Sequence, residues 1–211
     1  MKIVVIAQSS LKKELGSKNI PAGWEWAWID SVNDLDRHSD AGLYFDLDFT
    51  MDAGRIGALS RLLPAPVIVN SVVHTLQEIG RPFIRINGWP GFLERSIHEL
   101  AVPDEKTGME ISTLYETMGW QYRIIPDIPG MISARIVAGI INEAYFTFQE
   151  RVSTKSEIDI AMKLGTNYPF GPFEWSERIG LQNIDQLLTA VQKAESRYDI
   201  AGELKKEAKG D

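Results

Sequence analysis

Three histidines, His38, His74 and His98, are the side chains in this sequence best suited to proton transfer near neutral pH. His98 is followed directly by Glu99, but adjacent residues on a strand or helix point in different directions, so they would not form an oriented acid–base pair. His74 stands in the stretch Val72-Val-His-Thr75 and is the better general base, whereas His38 lies among polar residues. A surface or structural role is the usual alternative for each of these histidines.

The sequence lacks the motifs of several other functional classes. It has no cysteine, which excludes a thiolate nucleophile, a disulfide and a cysteine metal site, and which favours a reducing, cytoplasmic setting. It has no Gly-rich Lys-Ser/Thr phosphate loop, no His-Glu-x-x-His pair and no Gly-x-Ser-x-Gly turn, and we expect no metal site. The formal net charge of -7 disfavours a nucleic-acid partner, because phosphate contacts require clustered cations. The apolar run Ile3–Ala7 is too short to cross a membrane and predicts a buried strand.

The elements that must position these residues are of two kinds. In residues 1–126, short apolar runs alternate with amphipathic stretches, which is typical of strands and helices around a parallel sheet. The predicted strands are Ile3–Ala7, Glu25–Ile29, Gly42–Asp46, Pro66–Val69 and Phe83–Ile86, and the predicted helices are Ser10–Leu15, Asp52–Leu63 and Glu110–Met118. An apolar run at Tyr122–Ile125 then leads into the loop Pro126-Asp-Ile-Pro-Gly130, where we place the domain boundary.

Residues 127–211 form the second predicted domain, and its pattern is helical throughout. A long helix is predicted over residues 131–151, and two more over residues 155–164 and 183–203. The polar residues 205–211 are predicted to fray. The fold class is therefore α/β, with a parallel-sheet N-terminal domain followed by an all-helical C-terminal domain.

Five blocks in the second half carry a family resemblance. They are Asp127-Ile-Pro-Gly-Met-Ile-Ser-Ala-Arg135, Asn142-Glu-Ala144, Asp159-Ile-Ala-Met-Lys-Leu-Gly165, Pro169-Phe-Gly-Pro-Phe-Glu174 and Ile179-Gly-Leu181. In order and spacing they resemble the C-terminal signature of the 3-hydroxyacyl-CoA dehydrogenases. The resemblance implies a reduced Rossmann-like N-terminal domain that binds NAD, a homodimer formed through the C-terminal helices, and an acyl-CoA-type ligand. Within the blocks, Asn142 and Glu174 are expected to be buried polar residues bonded to loop backbone.

The resemblance places the NAD phosphates at the turn after the first strand, where the family has a glycine-rich loop. This chain reads Gln8-Ser-Ser-Leu-Lys-Lys13 there, without glycine. Ser9 and Ser10 are the candidate phosphate donors, and an ordinary helix N-cap is the alternative explanation for them. Asp30 ends the second strand, where an acidic residue would bind the adenosine ribose. Asp46-Leu-Asp48 ends the third strand at the same edge, with helix capping as its alternative role.

The family oxidises a 3-hydroxyl with a histidine base that a glutamate orients, while a serine and an asparagine hold the substrate oxygen. Aligned without gaps, Asn87 stands at the histidine position and Glu99 at the glutamate position, with Val72 and Ala134 at the other two. Asn87 cannot accept a proton near neutral pH, which leaves Glu99 as the matched catalytic group and His74 as a substitute base. Loss of a positioned general base typically lowers the rate by about 100-fold to 10,000-fold.

Two functional hypotheses follow from these positions. One is a 3-hydroxyacyl-CoA dehydrogenase-like oxidoreductase of fatty-acid metabolism that uses NAD. The other is a non-catalytic dimeric binding or regulatory protein that kept the fold and lost NAD-dependent chemistry. The glycine-free turn and the substitutions at Asn87, Val72 and Ala134 favour the second hypothesis.

A tryptophan stripe is the remaining feature of the first domain. Trp24, Trp26 and Trp28 alternate along the second predicted strand, so their side chains point to one face. An exposed aromatic binding patch is one interpretation. Packing against a helix or a partner subunit is the one we favour, because a large aromatic stripe is usually core or interface.

Overall fold

The computed structural model describes residues 1–195 and 198–210. They form two compact units, Met1–Met131, called unit 1, and Ile132–Asp211, called unit 2. Unit 1 contains strands and helices, and the regular elements among the described residues of unit 2 are all helices. The predicted α/β fold class is confirmed.

A single sheet organises unit 1. Among the described residues it has seven strands: β1 Lys2–Ile6, β2 Glu25–Ile29, β3 Leu43–Asp46, β4 Val67–Asn70, β5 Ile84–Ile86, β6 Ile97–Ala101 and β7 Gln121–Ile124, in the order β2-β1-β3-β4-β5-β6-β7. The first five strands are mutually parallel, β6 is antiparallel to β5, and β7 is parallel to β6. All five predicted strands are present. The antiparallel strand β6 was not predicted.

The helices of unit 1 begin at side-chain caps in several places. They are α1 Ser9–Gly16, a 3-10 helix Val32–His38, α2 Ala53–Ser60, α3 Leu76–Ile79 and α4 Glu105–Met118. Asp52 caps α2 by accepting from the Arg55 backbone N–H at 2.8 Å. Asp104 caps α4 by accepting from the Thr107 backbone N–H at 2.7 Å, so α4 begins five residues before the predicted start.

Both faces of the sheet are buried, as the apolar runs predict for a parallel sheet. Alternate residues of β1 enter different clusters. Ile3 and Val5 pack with Leu11 and Leu15 of α1, whereas Val4 and Ile6 pack in the cluster on the opposite face. Neighbouring strands are held in parallel register, with Ile3 opposite both Trp26 and Leu43.

Unit 2 consists of α5 Ser133–Gln149, α6 Lys155–Thr166, α7 Pro172–Ile179, α8 Leu181–Ala194 and α9 Gly202–Lys209. Two predictions for this unit were wrong. The helix predicted over residues 183–203 ends at Ala194, and two of its residues, 196 and 197, lie outside the described part of the chain. The predicted fraying of residues 205–211 is replaced by α9, because Leu204 and Ala208 are buried one helical turn apart.

The family-like blocks of unit 2 hold turns together. Asp159 accepts from the backbone N–H groups of Phe173 at 2.8 Å and Glu174 at 3.2 Å, which caps α7 from a neighbouring helix. Asn142 is buried, donates to the Asp199 carbonyl at 2.8 Å and accepts from the Ala201 N–H at 2.9 Å. The structural role predicted for Asn142 is therefore confirmed.

The prediction for Glu174 was partly wrong. Its side chain is 38% exposed, so it is not buried as expected. It does accept from loop backbone, from the Gly171 N–H at 2.9 Å, and it forms an ion pair with Lys163. It closes the capping box of α7 rather than forming part of a buried polar group.

Candidate functional site

The carboxyl edge of the parallel strands is the candidate site of unit 1. Ligands of open α/β sheets bind at this edge, in the crevice where the strand order reverses. Here that crevice lies between β1 and β3, because β2 lies on one side of β1 and β3 to β5 follow on the other. The residues that follow β1 and β3 therefore decide what the crevice can hold.

The turn after β1 is short and leads directly to Ser9 and Ser10, the candidate phosphate donors. β1 ends at Ile6 and α1 begins at Ser9, so Ala7 and Gln8 alone connect them. Gln8 is the N-cap residue and makes no side-chain capping bond, which shows that the proposed capping by Ser9 or Ser10 was wrong. Both serines are exposed at the start of the helix.

Asp48, which follows β3, is hydrogen-bonded to this turn. Its Oδ1 atom accepts from the Gln8 backbone N–H at 3.1 Å, and its own N–H donates to Asp46 Oδ1 at 3.2 Å. Asp30, the predicted ribose ligand, is paired with Lys12, with 2.6 Å between Oδ1 and Nζ. Thus Asp48 serves α1 as an N-terminal cap supplied by another strand, in agreement with the capping alternative.

Asp46 is fully buried and is held by Arg55 from α2. The Arg55 Nε atom donates to Asp46 Oδ2 at 2.6 Å, and Nη2 donates to Oδ1. Burial raises the pKa of Asp46, although the two guanidinium bonds favour its charged form. Because both carboxylate oxygens of Asp46 are occupied, its role at this edge is to anchor α2 to β3.

The side-chain amide of Asn70 joins the end of β4 to the end of β5. Asn70 Nδ2 donates to the carbonyls of Leu47 and Gly88, each at 3.1 Å, and its Oδ1 accepts from the Gly88 N–H at 3.0 Å. A β-carbon on Gly88 would lie 2.8 Å from Asn70 Cγ, so the glycine permits this close approach. Asn87, at the position of the family histidine, is buried, and its Oδ1 lies 3.4 Å from the Trp89 N–H in the following turn.

The candidate bases have different surroundings. His98 is buried, with Nε2 at 2.9 Å from the Leu93 carbonyl and Nδ1 at 3.4 Å from the Tyr115 hydroxyl. Burial lowers the pKa of His98 to about 4, so this side chain is neutral at physiological pH. His74 is paired with Glu78, with 4.0 Å between Nδ1 and a carboxylate oxygen.

Glu99 is separated from His98 by the alternation of β6. It is half-buried, and in the β6–β7 pairing it stands opposite Arg123. Successive side chains of a strand point to opposite faces, so the sequence argument against an oriented His98–Glu99 pair is supported. In the described contacts, His98 is bonded to Leu93 and Tyr115, and His74 is paired with Glu78.

Arg85 is the residue that sequence reasoning missed. Its side chain is fully buried and donates to the carbonyls of Ser71 at 2.7 Å and Val72 at 3.0 Å, and it pairs with the Asp127 carboxylate. Asp127 also accepts from the Leu76 N–H at 2.8 Å. This network joins the loop after β4 to the loop that begins at residue 126. An arginine inside the apolar run Phe83-Ile-Arg-Ile86 was the available signal, because buried charges need partners.

The tryptophan stripe is part of the core of unit 1. Trp24, Trp26 and Trp28 are half-buried and pack against the same cluster, which confirms that they share one face. The rings of Trp26 and Trp28 are stacked with centroids 5.4 Å apart, and Trp26 stacks on Trp120 at 6.1 Å. Of the favoured interpretation, packing against a helix or a partner subunit, the first part is confirmed, because the cluster includes Leu11 and Leu15 of α1.

Comparisons with known proteins match part of this chain to one family. The family described as "3-hydroxyacyl-CoA dehydrogenase, C-terminal domain" matches residues 130–207. A 3-hydroxyadipyl-CoA dehydrogenase of Escherichia coli (strain K12) is 38% identical over 122 residues, which are 57% of this chain and 26% of that protein. A probable 3-hydroxybutyryl-CoA dehydrogenase of Bacillus subtilis (strain 168) is 33% identical over 96 residues, 44% of this chain and 33% of that protein. The predicted resemblance to the 3-hydroxyacyl-CoA dehydrogenase family is confirmed, with the family match lying in residues 130–207.

Solved structures agree on the fold. An (S)-3-hydroxybutyryl-CoA dehydrogenase from Ralstonia eutropha superimposes with a TM-score of 0.69 at 20% identity, over 86% of this chain and 69% of that one. A 3-hydroxybutyryl-CoA dehydrogenase from Escherichia coli K12 is 31% identical, with a TM-score of 0.57, over 67% of this chain and 31% of that one. The aligned part of the chain spans 26% to 33% of the length of the two curated relatives.

The residues at the crevice do not fit the dinucleotide that this family uses. The turn after β1 has no glycine, so the β-carbons of Ala7 and Gln8 stand where a family member has open backbone. The Gln8 N–H already donates to Asp48, and the Asp30 carboxylate is paired with Lys12.

Among the described residues, no group of three acidic or histidine side chains could hold a metal ion, and no helix is long and apolar enough to cross a membrane.

Proposed function

We propose that this chain is a cytoplasmic, homodimeric member of its family that binds an acyl-CoA-type ligand without oxidising it. The observation that carries the proposal is the state of the catalytic positions in unit 1. Asn87 replaces the base and lies in a local turn, and Val72, at the serine position, is buried with its carbonyl bonded to Arg85 and to the Gly130 N–H. The acyl-CoA class follows from the family and from the names of the two curated relatives.

Proton transfer is the step that these residues support least. An amide cannot take the hydroxyl proton, and His98 is enclosed, with both ring nitrogens next to partners inside the core. Without a positioned base, the rate is expected to fall by about 100-fold to 10,000-fold, and loss of oriented donors lowers it further. Such a protein retains the family's shape for a thioester ligand while its turnover is negligible.

Apolar surface on unit 2 supports the homodimer. Ile136 on α5 is 55% exposed and is followed one turn later by half-buried Ile140, while α6 exposes Ile160 at 50% and Leu164 at 83%. A groove of about 410 Å³ between these helices is lined mainly by apolar side chains. Large apolar residues clustered on a surface mark interaction sites, because their exposure to water is unfavourable.

One set of measurements tests the proposal. Incubation with acetoacetyl-CoA and NADH should consume no NADH above the protein-free blank, while calorimetry with acetoacetyl-CoA alone should show saturable binding. Sedimentation should give a dimer that Leu164→Glu dissociates. Met109→Glu, an equivalent change at a residue of unit 1 that is 61% exposed, should leave the dimer intact. Steady NADH consumption would refute the non-oxidising function, and a monomeric wild type would refute the dimer.

An NAD-dependent dehydrogenase that uses a substitute base is the second candidate. It is favoured by His74, whose Nδ1 atom lies 4.0 Å from a Glu78 carboxylate oxygen, and by the matched Glu99. A carboxylate beside a histidine can orient it as a base. If turnover is found, His74→Gln should abolish it and Lys193→Gln, a change in unit 2, should not.

A further inference from the structure

We propose that the Asp48 carboxylate is a built-in substitute for the cofactor phosphate, which closes the crevice between β1 and β3 to dinucleotides. The inference extends the proposed function, because it gives a structural reason why NAD-dependent chemistry would be absent. It concerns three residues of unit 1: Gln8 at the start of α1, Asp48 after β3, and Asp46 beside it. Each of their contacts is made at the carboxyl edge of the sheet.

The Asp48 carboxylate accepts a hydrogen bond at the start of α1, as a bound phosphate would. A helix N-terminus attracts anions because its first backbone N–H groups lack intrahelical partners and its dipole is positive there. Gln8, which precedes the first helical residue, directs its N–H to Asp48 Oδ1 at 3.1 Å. A carboxylate from the neighbouring strand is therefore the anion at this helix end.

Backbone geometry holds Asp48 in this position. The Leu47 N–H donates to the Ile6 carbonyl at 2.8 Å, so the chain leaving β3 stays bonded to β1 beyond the last strand residue. The Asp48 N–H then donates to Asp46 Oδ1, and Asp46 is fixed by Arg55. Asp48 is thus placed by the strand before it and by a buried ion pair, and it is not a freely rotating surface carboxylate.

The carboxylates around the crevice also disfavour binding of a pyrophosphate. At this edge Asp30 follows β2, Asp46 ends β3 and Asp48 follows β3, and the cations Lys12 and Arg55 are paired with Asp30 and Asp46. A pyrophosphate would have to displace the Asp48 carboxylate or lie beside it, and like charges at close range repel. The short turn without glycine adds β-carbons at the same place.

The decisive experiment compares the wild type with Asp48→Ala in two assays on the full chain. Calorimetric titration with NADH should show no saturable binding to the wild type up to millimolar concentration. Thermal unfolding is then followed with and without inorganic pyrophosphate at matched ionic strength. Asp48→Ala should melt at a lower temperature than the wild type, because the Gln8 N–H loses its acceptor. Pyrophosphate at ten times its dissociation constant should raise the midpoint of Asp48→Ala by about 3 to 5 °C and leave the wild type unchanged.

Two further variants act as controls. Asp40→Ala removes a carboxylate at the opposite edge of the sheet, where Asp40 pairs with Lys2 at 2.8 Å, and it should gain no response to pyrophosphate. If Asp48→Ala does not fold, Asp48→Asn is used, because it keeps an oxygen acceptor for the Gln8 N–H. Pyrophosphate should raise the unfolding midpoint of Asp48→Asn, but by less than the rise expected for Asp48→Ala. Micromolar binding of NADH to the wild type would overturn the inference. So would an Asp48 variant that matches the wild type in both stability and anion response.

These results can be separated from those that test the proposed function. NADH binding without consumption of NADH in the presence of acetoacetyl-CoA would refute the role of Asp48 and leave the non-oxidising function standing. Consumption of NADH would refute the proposed function as well. Absence of NADH binding, together with the pyrophosphate response of Asp48→Ala, supports the substitution of phosphate by Asp48.

Discussion

His98 predicts how the stability of unit 1 depends on pH. It is 3% exposed, and its ring makes edge-to-face contacts with Tyr115 and Trp120 at centroid distances of 5.8 and 5.6 Å. Burial lowers its pKa from 6.5 to about 4, and the nearby charge of Lys18 lowers it slightly, while the Leu93 carbonyl raises it. The native state therefore excludes a proton that the unfolded chain binds.

The sign and size of the effect follow from this difference. Because the folded pKa is the lower one, the stabilisation from neutral His98 is fully present above about pH 6.5 and is lost as the pH falls toward about 4. At about 1.4 kcal/mol per pH unit, the full loss is about 3 kcal/mol, of which about 2 kcal/mol has occurred by about pH 5. This is a large part of the stability of an ordinary domain, which is about 5 to 15 kcal/mol.

Urea unfolding at about pH 8 and about pH 5, followed by far-ultraviolet circular dichroism, measures this loss. His98→Gln should be less stable than the wild type at about pH 8, since it loses packing and hydrogen bonds. Between about pH 8 and about pH 5, the free energy of unfolding of His98→Gln should fall by about 2 kcal/mol less than that of the wild type. His74→Gln, at a side chain that is 45% exposed, should keep the wild-type pH dependence. An equal decrease in the wild type and His98→Gln would refute the reasoning.

Three other substitutions test individual contacts. Arg85→Ala should destabilise unit 1 by about 3 to 5 kcal/mol in urea unfolding, because the partly buried Asp127 carboxylate and the Ser71 and Val72 carbonyls lose the fully buried guanidinium that donates to them; a loss below about 1 kcal/mol would contradict this. Gly171→Ala should lower the melting temperature, since its β-carbon would lie 2.3 Å from Asp159 Cγ, whereas Gly57→Ala, with nothing within 4 Å, should leave it equal or higher. Asn87→His should not create NADH oxidation with acetoacetyl-CoA, because the donors around it are still missing; measurable turnover would show that the base alone was lacking.

Much of the fold could be predicted because its elements carry local signals. The run Ile3–Ala7 identifies a strand buried on both faces, and the alternating Trp26 and Trp28 identify the packed face of β2. Strand β6 was missed because His98 and Glu99 interrupt its apolar pattern. Its histidine is accommodated by the Leu93 carbonyl and the Tyr115 hydroxyl, which only the folded chain brings together.

The candidate site was less predictable, because its contacts join residues far apart in the sequence. Gln8 and Asp48 are 40 residues apart, and Arg85 and Asp127 are 42 apart. The types of these residues indicate that each needs a partner, but several partners of suitable charge exist for each. The strand ends could be predicted to meet at one edge of the sheet, whereas the pairing within that edge required the structure.

The family signature and the family chemistry separate in this chain for a physical reason. The signature residues Asn142, Asp159 and Gly171 hold backbone turns in this chain, so their contacts serve the fold of the helical unit. At the positions of the base and of the phosphate turn, Asn87 and Gln8 also make contacts within their own unit, and these contacts do not supply the family chemistry. A match to the signature is therefore evidence for the fold of this chain, and the reaction must be tested at Asn87 and Asp48.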